Sequence, residues 1–108
     1  MFNDELKDVA WNNANSLKMD NPKELKVCFI CYFEFKKGMI NKQEVRMKYE
    51  DYNNEFELNG WVIDHIDGNK ANNNHDNLVA VHNTCYHFQK HQNFTNLFLE
   101  YKKKILNN

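Results

Sequence analysis

The sequence predicts an α+β fold, with a strand–loop–strand–helix unit at its centre and helices to either side. Three observations predict it. Two short β-prone segments, Trp61-Val62-Ile63-Asp64-His65-Ile66 and Asn77-Leu78-Val79-Ala80-Val81, enclose a polar loop. Apolar residues recur at helical spacing near both ends of the chain. A Cys28-x-x-Cys31 pair has the spacing of a metal knuckle.

The elements follow in order. Phe2, Leu6, Val9, Ala10 and Leu17 lie at helical spacing, so an amphipathic helix is predicted over residues 4–18. Asp20-Asn21-Pro22, with the sole proline, is a turn signal. Leu25 to Cys31 is short and β-prone. Residues 36–58 carry the weakest pattern: Gly38 suggests a turn, and Glu44 to Tyr52 fits either strand or helix. Asn59-Gly60 is a turn before the first central strand. The loop from Asp67 to Asn74 follows, and the strand at 77–81 returns antiparallel. Asn83 or Thr84 can cap a helix starting near Cys85. Phe94, Leu97, Phe98, Tyr101 and Ile105 form an apolar stripe at the 3.6-residue period, and Lys102 to Lys104 read as a solvated helix end. One domain over 1–108 is expected. It comprises a helical extension (1–22), a cysteine knuckle (25–35), the central unit (59–92) and a C-terminal helix (94–106).

Composition narrows the class of protein. With 42% hydrophobic and 14% aromatic residues, the chain is not a disordered tail. At 108 residues the core is thin, because a domain of this size buries only about two-thirds of its unfolded surface. A bound metal would reinforce it. No apolar run approaches the roughly 18 residues needed to span a bilayer. The N-terminus lacks a basic start and an apolar stretch, so a cytoplasmic protein is expected. Three cysteines cannot close a disulfide set, and in a reducing compartment Cys28 and Cys31 read as metal ligands or as small buried hydrophobes. A formal net charge of −1 argues mildly against a nucleic-acid partner. The charge is uneven, with Glu50, Asp51, Glu55 and Glu57 grouped before the first central strand.

The chemistry-bearing residues converge on the central unit. Asp64 and His65 end the first strand, while His87 and His91 lie four apart on the following helix and hence on one face. A helix packed over the hairpin can bring one carboxylate, a strand histidine and one or two helix histidines around a small cavity. Those parts suit phosphodiester hydrolysis. A neutral imidazole deprotonates water near pH 7, and a divalent ion on carboxylate and imidazole stabilises charge on the phosphate. His75, in the polar loop, is assigned no role.

Asp64-His65-Ile66-Asp67-Gly68-Asn69-Lys70, followed by Asn77-Leu78, resembles the HNH endonuclease motif, in its phage and homing form, over residues 61–91. The resemblance implies a ββα-metal (His-Me finger) core. It also implies roles: Asp64 as ligand of a catalytic Mg²⁺ or Mn²⁺ (Ni²⁺ or Zn²⁺ where imidazole dominates), His65 as general base, and Asn77 as the brace of the loop that orients the base. The sequence departs from the pattern at the last ligand, where Tyr86 stands and a histidine comes one residue later. One step along a helix turns about 100°, so His87 replaces that ligand only with a shift of helix phase. His87, His91 or the two together remain open, with His87 favoured.

Family members that flank the core with two zinc-binding pairs imply a second centre. Cys28 and Cys31 with His82 and Cys85 would make a closed, structural Cys₃His zinc site resembling a treble clef. The expected partner is DNA, double-stranded, with a protein partner supplying specificity, in a phage-encoded or mobile-element setting. Two functions compete: an active endonuclease, and a zinc-stabilised binding module without turnover.

Overall fold

A computed structural model describes residues 3–89 and 92–106. The chain is α+β, with two small antiparallel sheets and helices packed around them. Helix α1 (Asp4–Asn13) is capped by the Asn3 side chain, which accepts from the Leu6 amide at 2.9 Å. It stops five residues short of the predicted end. Ala14 turns extended (φ −82°, ψ 160°) and Asn15 bridges antiparallel to Val27, so tertiary pairing overrides the helical pattern.

Strand β1 (Leu25–Val27) pairs with β2 (Arg46–Lys48), Lys26 facing Met47. Between them lie α2 (Phe29–Lys36) and the short α3 (Lys42–Val45). Cys28 is the N-cap of α2, so Cys31 sits on a helix where a β-prone run had been read. The ambiguous stretch 44–52 contains both elements: α3 ends at Val45, β2 follows, and Tyr49–Asp51 is a 3₁₀ turn. An Asn41–Glu44 capping box starts α3.

The central hairpin runs β3 (Trp61–His65), loop, β4 (Leu78–His82), in antiparallel register with Ile63 opposite Ala80 and His65 opposite Leu78. Helix α4 (Asn83–Gln89) begins two residues earlier than predicted and packs across both strands. Helix α5 (Thr95–Leu106) packs on α2.

Two aromatic groups make the core. Trp11 lies 4.9 Å from Trp61, with Tyr49 and Tyr52 around them, joining α1 to β3. Phe29 meets Phe94 and Phe98 edge-on at 5.6 and 5.3 Å, and Tyr101 donates a 2.8 Å bond to the Val27 carbonyl. The apolar stripe of α5 is therefore core. Lys102 departs from the solvated-end reading. Its Nζ donates to the Asn13 carbonyl and to Asn15 Oδ1, both at 2.6 Å, whereas Lys103 and Lys104 are exposed. No helix among the described residues is long and apolar enough to cross a membrane.

Candidate active site and metal centre

Asp64 and His65 end β3, 7% and 9% exposed, where the hairpin opens into its loop. Asp64 Oδ1 accepts from the His65 amide at 2.8 Å. Beyond them the loop is held by its own side chains. Asp67 Oδ1 accepts from the Asn69 amide at 2.8 Å, and Asn69 Oδ1 from the Ala71 amide at 3.0 Å, two successive Asx turns. Asn72 Nδ2 donates to Asp67 Oδ2 at 2.9 Å.

Asn77, 7% exposed in the turn entering β4, closes this lattice. Its Oδ1 accepts from the Asp67 amide at 3.0 Å, and its Nδ2 donates to Asp67 Oδ1 and the Asn72 carbonyl, both at 2.9 Å. Donors from Asn72, the Asn69 amide and Asn77 hold the Asp67 carboxyl below its usual range, outweighing its slight burial. The structure gives His65 a ring partner that sequence reasoning missed: its Nε2 lies 2.7 Å from Asn73 Oδ1. The only signal was the Asn72–Asn74 run, read as a polar loop.

The loop is clamped from outside. The Phe94 amide donates to the Ile66 carbonyl at 2.7 Å. Gly68 has φ +77°, and a Cβ there would sit 2.5 Å from the Gln92 carbonyl oxygen. From the other side, Asn13 Nδ2 donates to the His75 and Leu78 carbonyls at 2.7 and 2.8 Å. His75 is exposed and contributes this carbonyl.

His87 is exposed on α4, its ring 6.0 Å from that of half-buried Tyr86, and His91 lies outside the described residues. Among the described residues, no group of three His, Cys, Asp or Glu side chains at metal-binding separation includes Asp64, His65 or His87. A hard divalent ion does not require one: Mg²⁺ is usually held by one or two carboxylates together with substrate phosphates and water.

The second centre is a compact four-donor cluster. The ligand atoms of Cys28, Cys31, His82 and Cys85 all lie within 4.8 Å of one another. Cys28 and Cys31 come from the β1–α2 junction, His82 and Cys85 from the β4–α4 junction. Cys31 Sγ is 3.2 Å from His82 Nδ1. His82 Nε2 donates to the Arg46 carbonyl at 2.8 Å, which leaves Nδ1 as the nitrogen able to bind a metal. The His82 amide points at Cys28 Sγ, 3.4 Å away.

Burial opposes ionisation of Cys28, yet hydrogen bonds from Cys31 and Cys85 and the charge on His82 outweigh it and lower its pKa. Hydrogen bonding to Cys28 and burial push Cys31 and Cys85 up. His82 is raised because the Cys28 thiolate overcomes its desolvation. Three sulfurs and one imidazole at this separation fit a tetrahedral ion, and the soft donors suit zinc. The cluster can hold a structural metal such as zinc.

No curated protein and no solved structure matches the chain. Residues 49–84 match the family model described as HNH endonuclease. That segment spans β3, the asparagine-tied loop and β4. It stops before Tyr86, where the sequence leaves the family pattern. Over this segment, about a third of its length, the chain is similar to the HNH endonuclease family, and that similarity suggests a nuclease-type function.

Proposed function

We propose that the chain is a metal-dependent endonuclease that hydrolyses phosphodiester bonds of double-stranded DNA. The observation that carries the reading is the Asp64–His65 pair at the end of β3, inside the HNH segment and behind a loop tied at both ends. His65 takes a proton from the attacking water as a neutral imidazole. Asp64 offers its carboxylate to a divalent ion, Mg²⁺ or Mn²⁺, with His87 as the favoured imidazole ligand and His91 as its alternative. Such an ion, when bound, supplies stabilisation of charge on the phosphate and on the leaving 3′-oxygen. Asn77 keeps the loop rigid so that Asp64 and His65 stay in register.

A binding module without turnover is favoured by two observations: Tyr86 at the last ligand position and the net charge of −1. In that reading the chain assists a larger phage or mobile-element assembly, with a partner supplying specificity. Plasmid nicking with Mg²⁺, Mn²⁺, Ni²⁺ or EDTA, comparing wild type with His65→Ala, separates the two. The nuclease reading expects metal-dependent nicking that falls by about 10²–10⁴-fold in the variant. Equal cutting by both proteins removes His65 as base, and DNA binding without nicking under every ion supports the module.

A further inference from the structure

We propose that Asn73 is the positioning residue of the base: its side-chain oxygen holds the His65 ring by Nε2–H, so that Nδ1 faces the reaction. The inference rests on the nuclease reading. An amide oxygen only accepts hydrogen bonds, so the nitrogen 2.7 Å from Asn73 Oδ1 must carry the proton. In a neutral imidazole the lone pair then lies on the other nitrogen. The ring is thereby fixed in both tautomer and orientation by a group eight residues along the chain.

The rest of the loop explains why Asn73 stays aimed at His65. Asn72 Nδ2 is anchored on Asp67 Oδ2 at 2.9 Å, and the Asn72 carbonyl accepts from Asn77 Nδ2 at 2.9 Å. That carbonyl belongs to the peptide joining residues 72 and 73, so Asn77 sets the plane from which Asn73 projects. On the far side, Asn72 Oδ1 accepts from the Asn74 amide at 3.3 Å. Two duties are divided between two asparagines. Asn77 is buried and fixes the loop, while Asn73 stands on its exposed rim and touches the base.

The division makes the proposal separable from a structural effect. Because Asn73 is exposed and accepts from a single ring, Asn73→Ala should leave the unfolding midpoint close to wild type, unlike Asn77→Ala. The experiment combines nitrogen-15 and proton NMR of the His65 ring with steady-state plasmid nicking, using wild type, Asn73→Ala and Asn73→Asp. At a pH where the imidazole is neutral, wild type should show an Nε2–H proton protected from water exchange. Asn73→Ala should lose that protection and about tenfold to a hundredfold in kcat, with KM unchanged, because ring placement and not substrate binding is lost. Asn73→Asp, which keeps an accepting oxygen, should restore both. An unprotected ring in wild type, protection that survives in Asn73→Ala, or an unchanged kcat overturns the proposal. A wild type that never nicks DNA sinks the nuclease reading alone, since the ring proton still decides whether Asn73 holds it.

Discussion

Stripping the metal from the Cys28–Cys31–His82–Cys85 cluster should unfold the protein. The four ligands tie the β1–α2 junction to the β4–α4 junction, and Cys31 and His82 are 51 residues apart in sequence. A structural zinc contributes roughly 10–16 kcal/mol of apparent binding energy. The whole stability of a domain this size is about 5–15 kcal/mol, so chelation removes as much as the fold possesses. Shared over four ligands, the same range gives about 2.5–4 kcal/mol each, a loss in zinc affinity of roughly seventyfold to a thousandfold. Cys85→Ser should reach that figure with little steric cost, because the side chain is half-buried and the hydroxyl is only slightly smaller than the thiol. Zinc content by atomic emission gives the stoichiometry, one per chain. Tryptophan fluorescence reads the unfolding, since Trp11 and Trp61 are 3% and 0% exposed in the core and would shift to the red. A protein that purifies without zinc, or whose chelated form melts with the loaded one, refutes the reasoning.

Three further outcomes follow from the loop. Asn77→Ala removes three hydrogen bonds from a buried side chain, and at about 0.5–1.5 kcal/mol each should cost about 2–4 kcal/mol in urea unfolding; a change under about 1 kcal/mol would contradict the lattice. Gly68→Ala forces a Cβ to 2.5 Å from the Gln92 carbonyl at a positive φ, so the melting midpoint should fall and amide protection at Phe94 should drop, while Gly38→Ala meets no neighbour and carries only the φ cost. Asp67 has a depressed carboxyl pKa, so the order it confers is present above the ordinary carboxylate range and lost as pH falls through the depressed value. Side-chain amide signals of Asn72 and Asn77 followed through an acid titration should sharpen or collapse together there, and Asp67→Asn should abolish the pH dependence.

The hairpin was legible because its residues carry local and global information that agree. Val62, Ile63, Val79 and Val81 favour strands, and Asn59-Gly60 and the polar loop delimit them, so each end falls within one residue of the structure. The four-donor cluster was legible from the Cys28-x-x-Cys31 spacing together with the family resemblance, which pointed to His82 and Cys85. Helix α2 was not. Phe29-Ile30-Cys31-Tyr32-Phe33-Glu34-Phe35-Lys36 is apolar on nearly every side and rich in β-prone aromatics, so it has no period to read. It is helical because Phe29 and Tyr32 pack against α5, a contact more than sixty residues distant. Lys102 was misread for a similar reason: its acceptors, Asn13 and Asn15, are exposed by the early end of α1, which only the Asn15–Val27 bridge explains.

Of the loop asparagines the sequence singled out Asn77 alone, yet Asn69, Asn72 and Asn73 order the loop with it. In the nuclease reading, a loop placed beside a scissile phosphate has a particular electrostatic problem. Tying it with carboxylates would repel the substrate, and tying it with lysines would fix cations that compete with a bound metal ion. Asparagine supplies a donor and an acceptor on one short neutral side chain and tolerates the backbone angles of tight turns. Asn69, Asn72, Asn73 and Asn77 together satisfy the Asp67 carboxylate, three loop amides and the His65 ring without adding a unit of charge. The acidic residues Glu50, Asp51, Glu55 and Glu57 instead precede β3, in the segment leading into the hairpin. Net charge is therefore a poor guide to this segment, because around His65 the Asp64 and Asp67 carboxylates are set among neutral, oriented asparagine amides.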